Sequence, residues 1–180
     1  MGALALRFGA VLALVLLDKW SKVRVFEWLG VDPERFHHAT QPLFGTSWLS
    51  FASSCNGGAA FGQFSQFPKI LVFGRIGAVL FLTWLLARPA AHPRLVLVAM
   101  TLVLAGALGN LIDNLGAGCV ITGHPFEGVR DFIEVYFGPL GIDRRFPAFN
   151  VADSCITVGA CFWLLSGFLH KEPASAEPKS

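Results

Sequence analysis

The chain has 180 residues, 54% of them hydrophobic and only 14% charged, with a net charge of +2 and no run of Lys or Arg. A soluble domain usually carries about a quarter charged residues, so the expectation is a single domain embedded in a membrane. Nothing in the charge pattern suggests a nucleic-acid surface.

The first apolar stretch, Leu4 to Leu17, is broken only by Arg7 and is followed by Asp18-Lys19-Trp20-Ser21-Lys22. No small-x-small cleavage site follows Leu17, so a retained membrane helix with an interfacial end toward Val25 is expected rather than a removed leader. The Asp18–Lys22 stretch reads either as a snorkelling, aromatic-belt helix end or as a brace for a site.

A long wet segment, 18–69, comes next. Within it Leu43 to Phe64 reads as extended, with Phe44, Trp48, Leu49, Phe51, Phe61 and Phe64 around an Asn56-Gly57-Gly58 turn signal. A hairpin or small sheet against the membrane surface fits these aromatics. The same loop lets a peptide approach exposed backbone at Gly58 while Asn56 holds a carbonyl; a plain hairpin turn is the other reading.

Three further spans follow: Ile70 to Ala87, interrupted by Arg75; Leu95 to Leu111, uncharged; and Val151 to Leu169, with Asp153 in its first turn. Residues 88–94 form a proline-punctuated turn, 114–150 is a second wet segment, and 171–180 is a polar tail. Four spans put both termini and the 88–94 turn on one side, and both wet segments on the other. The basic residues do not decide which side is which: the short turn and the long segments pull the positive-inside tally in opposite directions.

The carboxylates and amides at the span ends carry the chemistry. Asn110 and Asp113 share a helix face at i and i+3, and an acid at a helix C-terminus opposes the dipole, which argues for a site-supporting use of Asp113. Arg130-Asp131 lies in the apolar run Val129 to Ile133, where alternation turns Asp131 inward and Arg130 toward water. Asn150 and Asp153 open the last span as a helix cap, which also holds the Asp153 carboxylate at a defined depth. Two carboxylates brought close do not ionise together, so one keeps a proton as acid while the other activates water. That is aspartyl peptidase chemistry, and it calls for no metal and no cofactor.

The four cysteines, Cys55, Cys119, Cys155 and Cys161, form no CxxC pair or Cys/His cluster, so a zinc site is not expected. Cys155 and Cys161 sit in an apolar stretch and read as buried thiols, and the spacing leaves the redox compartment open. There is no HExxH, no serine-protease GxSG and no Gly-x-Gly-Asp. The competing classes are a transport or binding protein whose acids cap helices or hold ions, and an inactive homologue of an enzyme. Polar residues gathered at span ends, without repeats, speak against transport.

Five motifs in order, Asp18-x-x-Ser21-Lys22, Asn56-x-Gly58-Ala59-Ala60-Phe61, Gly109-Asn110-x-x-Asp113, Asp131-Phe132 and Phe149-Asn150-x-Ala152-Asp153, resemble those of the bacterial lipoprotein signal peptidases (signal peptidase II). The resemblance implies a membrane all-α fold, a four-transmembrane-helix bundle with a small sheet at the outer surface. It implies Asp131 and Asp153 as the catalytic dyad. Asn56, Gly58, Asn110, Asp113 and Asn150 would hold substrate or orient the acids, with Asp18 and Lys22 as braces. The implied substrates are prolipoproteins carrying a diacylglyceryl-cysteine, met among lipids of the bacterial inner membrane, with the termini cytoplasmic and the site on the opposite face. Two departures stand out. Asn114 occupies the position where the family has Arg, leaving Asp113 without a basic partner unless Arg130 or another cation replaces it, and the 114–130 segment is longer than usual.

Overall fold

The computed structural model describes residues 2–58, 63, 65–88 and 92–169. Ala59, Ala60 and Phe61 of the second motif, part of the 88–94 turn and the 171–180 tail lie outside the described residues.

Four helices form the body: α1 (Gly2–Trp28), α2 (Pro68–Ala87), α3 (Arg94–Ile112) and α4 (Val151–Leu169). Long apolar runs free of internal proline sustain them, and Pro68 opens α2 where its missing N–H is no loss. Among the described residues three helices, α2, α3 with its extension to Ala117, and α4, are long and apolar enough to cross a membrane. α1, with Arg7, Asp18, Lys19, Lys22, Arg24 and Glu27 along it, is not among them. It nevertheless runs for 27 residues, or about 40 Å at the helical rise, well beyond the expected Leu17 boundary.

The centre of the bundle is α3. Half of its apolar window is buried, against 22% for α2 and for α4, so the latter two present most of their surface outward. Val11 and Val15 of α1, Leu82 and Leu86 of α2, and Met100, Leu104 and Ala105 of α3 form one core. Small residues bring α3 and α4 together: a Cβ on Gly106 would lie 2.3 Å from the Ala152 carbonyl oxygen, and one on Gly159 2.9 Å from that of Ala99. Such close backbone approach is how helices associate when no hydrophobic contrast drives them. Outward-facing Leu12, Leu16, Phe73, Leu80, Phe81, Leu164 and Phe168 are exposed, a contiguous apolar exterior suited to lipid. Cys161 belongs to this exterior and is exposed. Its expected burial was wrong because an apolar residue on a lipid-facing helix turns outward; Cys155 is buried as expected.

A four-stranded antiparallel sheet covers one end of the bundle, in the order β1 (Thr40–Pro42), β2 (Leu49–Asn56), β3 (Val129–Tyr136), β4 (Arg145–Phe149). It is larger than a hairpin because both wet segments contribute to it. The Asn56-Gly57-Gly58 signal is not the turn of a hairpin. β1 and β2 are joined through residues 43–48, where Phe44 and Gly45 take positive φ of 53° and 66°, while Asn56 ends β2 opposite Val129 of β3. Val25, Phe26, Val31 and Phe132 form a second core between the end of α1 and the sheet.

Two junctions couple sheet and bundle. After α3 a π-helical turn, Asp113–Ala117, swings the chain out of the bundle, with Gly116 at φ 119°. At the other junction β4 runs into α4 with Asn150 alone between them. A disulfide joins Cys55 at the end of β2 to Cys119 in the long segment, across a sequence separation of 64.

Candidate active site

Asp131 on β3 and Asp153 in the first turn of α4 meet where the sheet sits on the helix ends. Their link is a set of amides. Asn150 Nδ2 donates to Asp131 Oδ1 at 2.6 Å, and Asn56 Nδ2 donates to Asp131 Oδ2 at 3.1 Å. Asn110 Nδ2, from α3, donates to Asp153 Oδ1 at 2.8 Å. The Asn150 and Asp153 side chains cap each other's backbone: the Asp153 N–H donates to Asn150 Oδ1 at 2.8 Å, and the Asn150 N–H to Asp153 Oδ2 at 3.3 Å. The cap expected at this helix start therefore exists and also orients the acid.

The two acids differ in surroundings. Asp131 is 1% exposed, whereas Asp153 is half-buried. Burial, reinforced by the negative charge of Asp153, pushes the Asp131 carboxyl up to about 8, against the pull of the Asn56 and Asn150 hydrogen bonds and of Lys22. A buried acid next to a second carboxylate keeps its proton near neutral pH.

Beneath the pair lies a buried ionic brace. Lys22 Nζ is 2.7 Å from Asp18 Oδ2, 3.3 Å from Asp113 Oδ2 and 3.1 Å from Asn110 Oδ1. Asp18 Oδ1 accepts the Ala152 N–H at 2.8 Å, pinning the start of α4 to α1. Gly109 leaves room for this contact, since a Cβ there would lie 2.7 Å from Asp18 Oδ2. Asp18 and Lys22 are thus interior groups, which decides against the snorkelling reading. Arg130 is the clearest departure from expectation. Its side chain is 5% exposed instead of facing water, because Asp113 and the π turn cover that face of β3. Its Nη2 donates to Asp113 Oδ1 at 2.8 Å and its backbone N–H to Asp113 Oδ2 at 3.0 Å. Asp113 has two basic partners, Arg130 and Lys22, which offsets its unfavourable place at a helix C-terminus.

Gly58 is buried, and its N–H donates to Asn56 Oδ1 at 2.9 Å. Its carbonyl accepts from Arg75 Nη2 at 3.3 Å, and Arg75 Nη1 also donates to Asn114 Oδ1. Asn114 Nδ2 in turn donates to the Glu127 carbonyl at 2.7 Å. All nine predicted site residues therefore fall into one connected region. Arg75, Glu127 and the Cys55–Cys119 bond were not assigned to it from sequence. For Arg75 a signal existed, since a cation inside an apolar span marks a site by default; for the disulfide none did.

Membrane-length helices capped by a sheet, with two amide-linked carboxylates at their junction, form the arrangement that an aspartic-type membrane enzyme needs. The family model for signal peptidase (SPase) II matches residues 10–169. A lipoprotein signal peptidase of Burkholderia cenocepacia (strain HI2424) is 38% identical over 164 residues, covering 88% of this chain and 85% of that protein. One from Burkholderia multivorans is 37% identical over the same length. A bacterial membrane enzyme solved by the in meso method at 2.3 Å resolution superposes with a TM-score of 0.70 at 26% identity, covering 94% of this chain and 93% of that one. The chain belongs to the signal peptidase II family and is an aspartic-type peptidase.

Proposed function

We propose that Asp131 and Asp153 are the catalytic pair with which this peptidase removes signal peptides from lipoprotein precursors, cutting before a diacylglyceryl-cysteine. The observation that carries the assignment is the junction of Asn150, which donates to Asp131 Oδ1 at 2.6 Å and caps Asp153 at 2.8 Å. One residue sets both acids against each other at the end of the bundle.

The chemistry divides by environment. Asp153, the more exposed acid, takes a proton from water as the water oxygen bonds to the scissile carbonyl carbon. Asp131, holding its proton, gives it to the carbonyl oxygen. When the resulting gem-diol collapses, the C–N bond breaks. Asp153 then returns a proton to the leaving nitrogen while Asp131 recovers its own from the diol. Both acids end in their starting states. Asn56 and Gly58, beside Asp131, are the groups for holding substrate backbone; Asn110 and Asp113, with Asp18 and Lys22, keep the acids in place.

In this reading α1 is the fourth membrane-crossing helix, and its buried Asp18 and Lys22 neutralise one another inside the bundle instead of facing lipid. The site faces away from the cytoplasm of the inner membrane. The Cys55–Cys119 disulfide supports that orientation, because such bonds persist in oxidising compartments, and Cys119 lies in the same segment, 114–150, as Asp131. The apolar exterior of α2 and α4 beside the site suits a substrate that presents acyl chains from the bilayer. The test is cleavage of a diacylglyceryl-modified prolipoprotein by purified protein. Asp131→Asn and Asp153→Asn are each expected to be inactive while remaining folded, and normal turnover by either removes that residue from the pair.

A further inference from the structure

Arg75 is a cation without an assigned task. It sits in the second turn of α2 and is half-buried. The other two buried cations of the region are committed: Lys22 to Asp18 and Asp113, Arg130 to Asp113. Arg75 makes no ion pair among the described residues. Its hydrogen bonds go to neutral acceptors, the Gly58 carbonyl at 3.3 Å and the Asn114 side chain. Yet the carboxylates of Asp153, Asp131 and Asp113 lie near enough to act on its charge. A guanidinium bonded only to amide oxygens but lying in the field of the acid pair keeps its charge available to that pair.

The two neutral contacts are informative as well. Gly58 and Asn56 share a hydrogen bond, and Asn56 reaches Asp131 Oδ2. Asn114 extends the fork to the Glu127 carbonyl. One planar group thereby ties the loop after β2 to α2 and to the 113–128 segment, a task for which a rigid fork suits better than a flexible ammonium.

Building on the assignment of Asp131 and Asp153, we propose that Arg75 is a positioning residue for the reaction, holding the Asn56–Gly58 loop through its fork and favouring the ionised carboxylate of the pair through its charge. Around the pair, Lys22 of α1 acts on Asp131 and both acids act on Arg75 of α2, while Asp18, Asp113 and Arg130 complete the brace beneath. Lys22 and Arg130 each form ion pairs with carboxylates outside the pair, Asp18 and Asp113 for the first and Asp113 for the second, whereas Arg75 forms none among the described residues.

Fork and charge separate experimentally. With full-length protein and a diacylglyceryl-modified prolipoprotein, Arg75→Gln is expected to lower kcat by about two orders of magnitude, in line with losing one fixed charge contact in a shielded site. It also moves the acid limb of the kcat/KM profile to higher pH by about one unit. Arg75→Lys keeps the charge and loses the fork, so its acid limb stays at the wild-type pH while KM rises by about tenfold. A wild-type acid limb in Arg75→Gln, or a limb in Arg75→Lys displaced as far as in Arg75→Gln, overturns the electrostatic role. Asn114→Ala frees one arm of the fork without touching the charge, and is expected to raise KM with the limb in place. An unchanged KM there overturns the positioning role and does not depend on Arg75→Gln folding. Asp131→Asn, assayed alongside, tests the underlying pair: its activity would discard the pair, whereas inactive Asp131→Asn with unaltered Arg75 variants discards this inference alone.

Discussion

Asn150 Nδ2 lies 2.6 Å from Asp131 Oδ1, a contact between the residue that starts α4 and an acid on the sheet. The same amide carbon carries Oδ1, which accepts the Asp153 N–H, so rotation of one side chain disturbs both acids. Asn150→Ala removes a helix cap, at a cost of about 1 kcal/mol, and a donor to Asp131. Activity is expected to fall by at least about two orders of magnitude, far more than the modest drop in Tm suggests. Measuring kcat and thermal unfolding on the same preparation checks this, and parallel small losses in both would reduce Asn150 to a cap.

The pH dependence follows from Asp131. Its carboxyl is raised by burial and by Asp153 to about 8, above the ordinary carboxylate value of 3.8. A raised acid binds a proton more tightly folded than unfolded, so its contribution to stability is fully present below about pH 4 and is lost as pH rises through about 8. Between those values the folded protein is expected to weaken as pH rises, and Asp131→Asn is expected to flatten that slope. Denaturation midpoints of both proteins across this range provide the measurement. An identical slope in the mutant would show that Asp131 ionises as easily folded as unfolded. The reaction itself is expected to decline above about pH 8, where Asp131 gives up its proton.

Lys22 is fully buried between two acids. Removing one partner from a buried ionic group leaves uncompensated charge and costs about 3–5 kcal/mol. Lys22→Met is therefore expected to unfold at a markedly lower temperature. Adding Asp18→Asn is expected to recover part of the loss, because it removes one of the two stranded carboxylates. Strict additivity in the double-mutant cycle would contradict the coupling.

The Cys55–Cys119 bond closes a long loop, and bonds of this kind stabilise by about 2–4 kcal/mol. Its loss in Cys55→Ser/Cys119→Ser is expected to lower Tm and to loosen Asn56, the neighbour of Cys55 that reaches Asp131. Turnover should then fall even at temperatures where the protein is folded. Reductant added to the wild type should reproduce both effects and leave the double mutant unaffected.

Much of this architecture is legible from hydropathy, because a lipid-facing helix must be apolar almost throughout. The spans at α2, α3 and α4 emerge at nearly their full lengths for that reason. α1 reads short because Asp18 and Lys22 look like a water-facing end; only the fold reveals that each neutralises the other inside. Alternation along β3 misplaced Arg130, since the rule supposes one wet face and here Asp113 covers it. The sheet was legible as extended structure but not in its pairing: β2 finds its partner β3 far along the chain, and no local signal reports such a contact. The amides Asn110 and Asn150 stand out because polar groups at the ends of apolar spans have few bland uses, and Asn56 because it opens a glycine loop among aromatics. Arg75 carried the same signal, but its meaning depends on Gly58 and Asn114, which are distant in sequence.

The single-residue junction at Asn150 also bears on biosynthesis. Asp131 is made before α4 exists, and Asp153 comes into register only once α4 lies along α3, where Gly106 and Gly159 admit it. While α4 is not yet packed against α3, Asp131 has its place on the sheet but Asp153 is not held beside it. On the proposed assignment of Asp131 and Asp153, cleavage is therefore expected only once α4 has packed against α3.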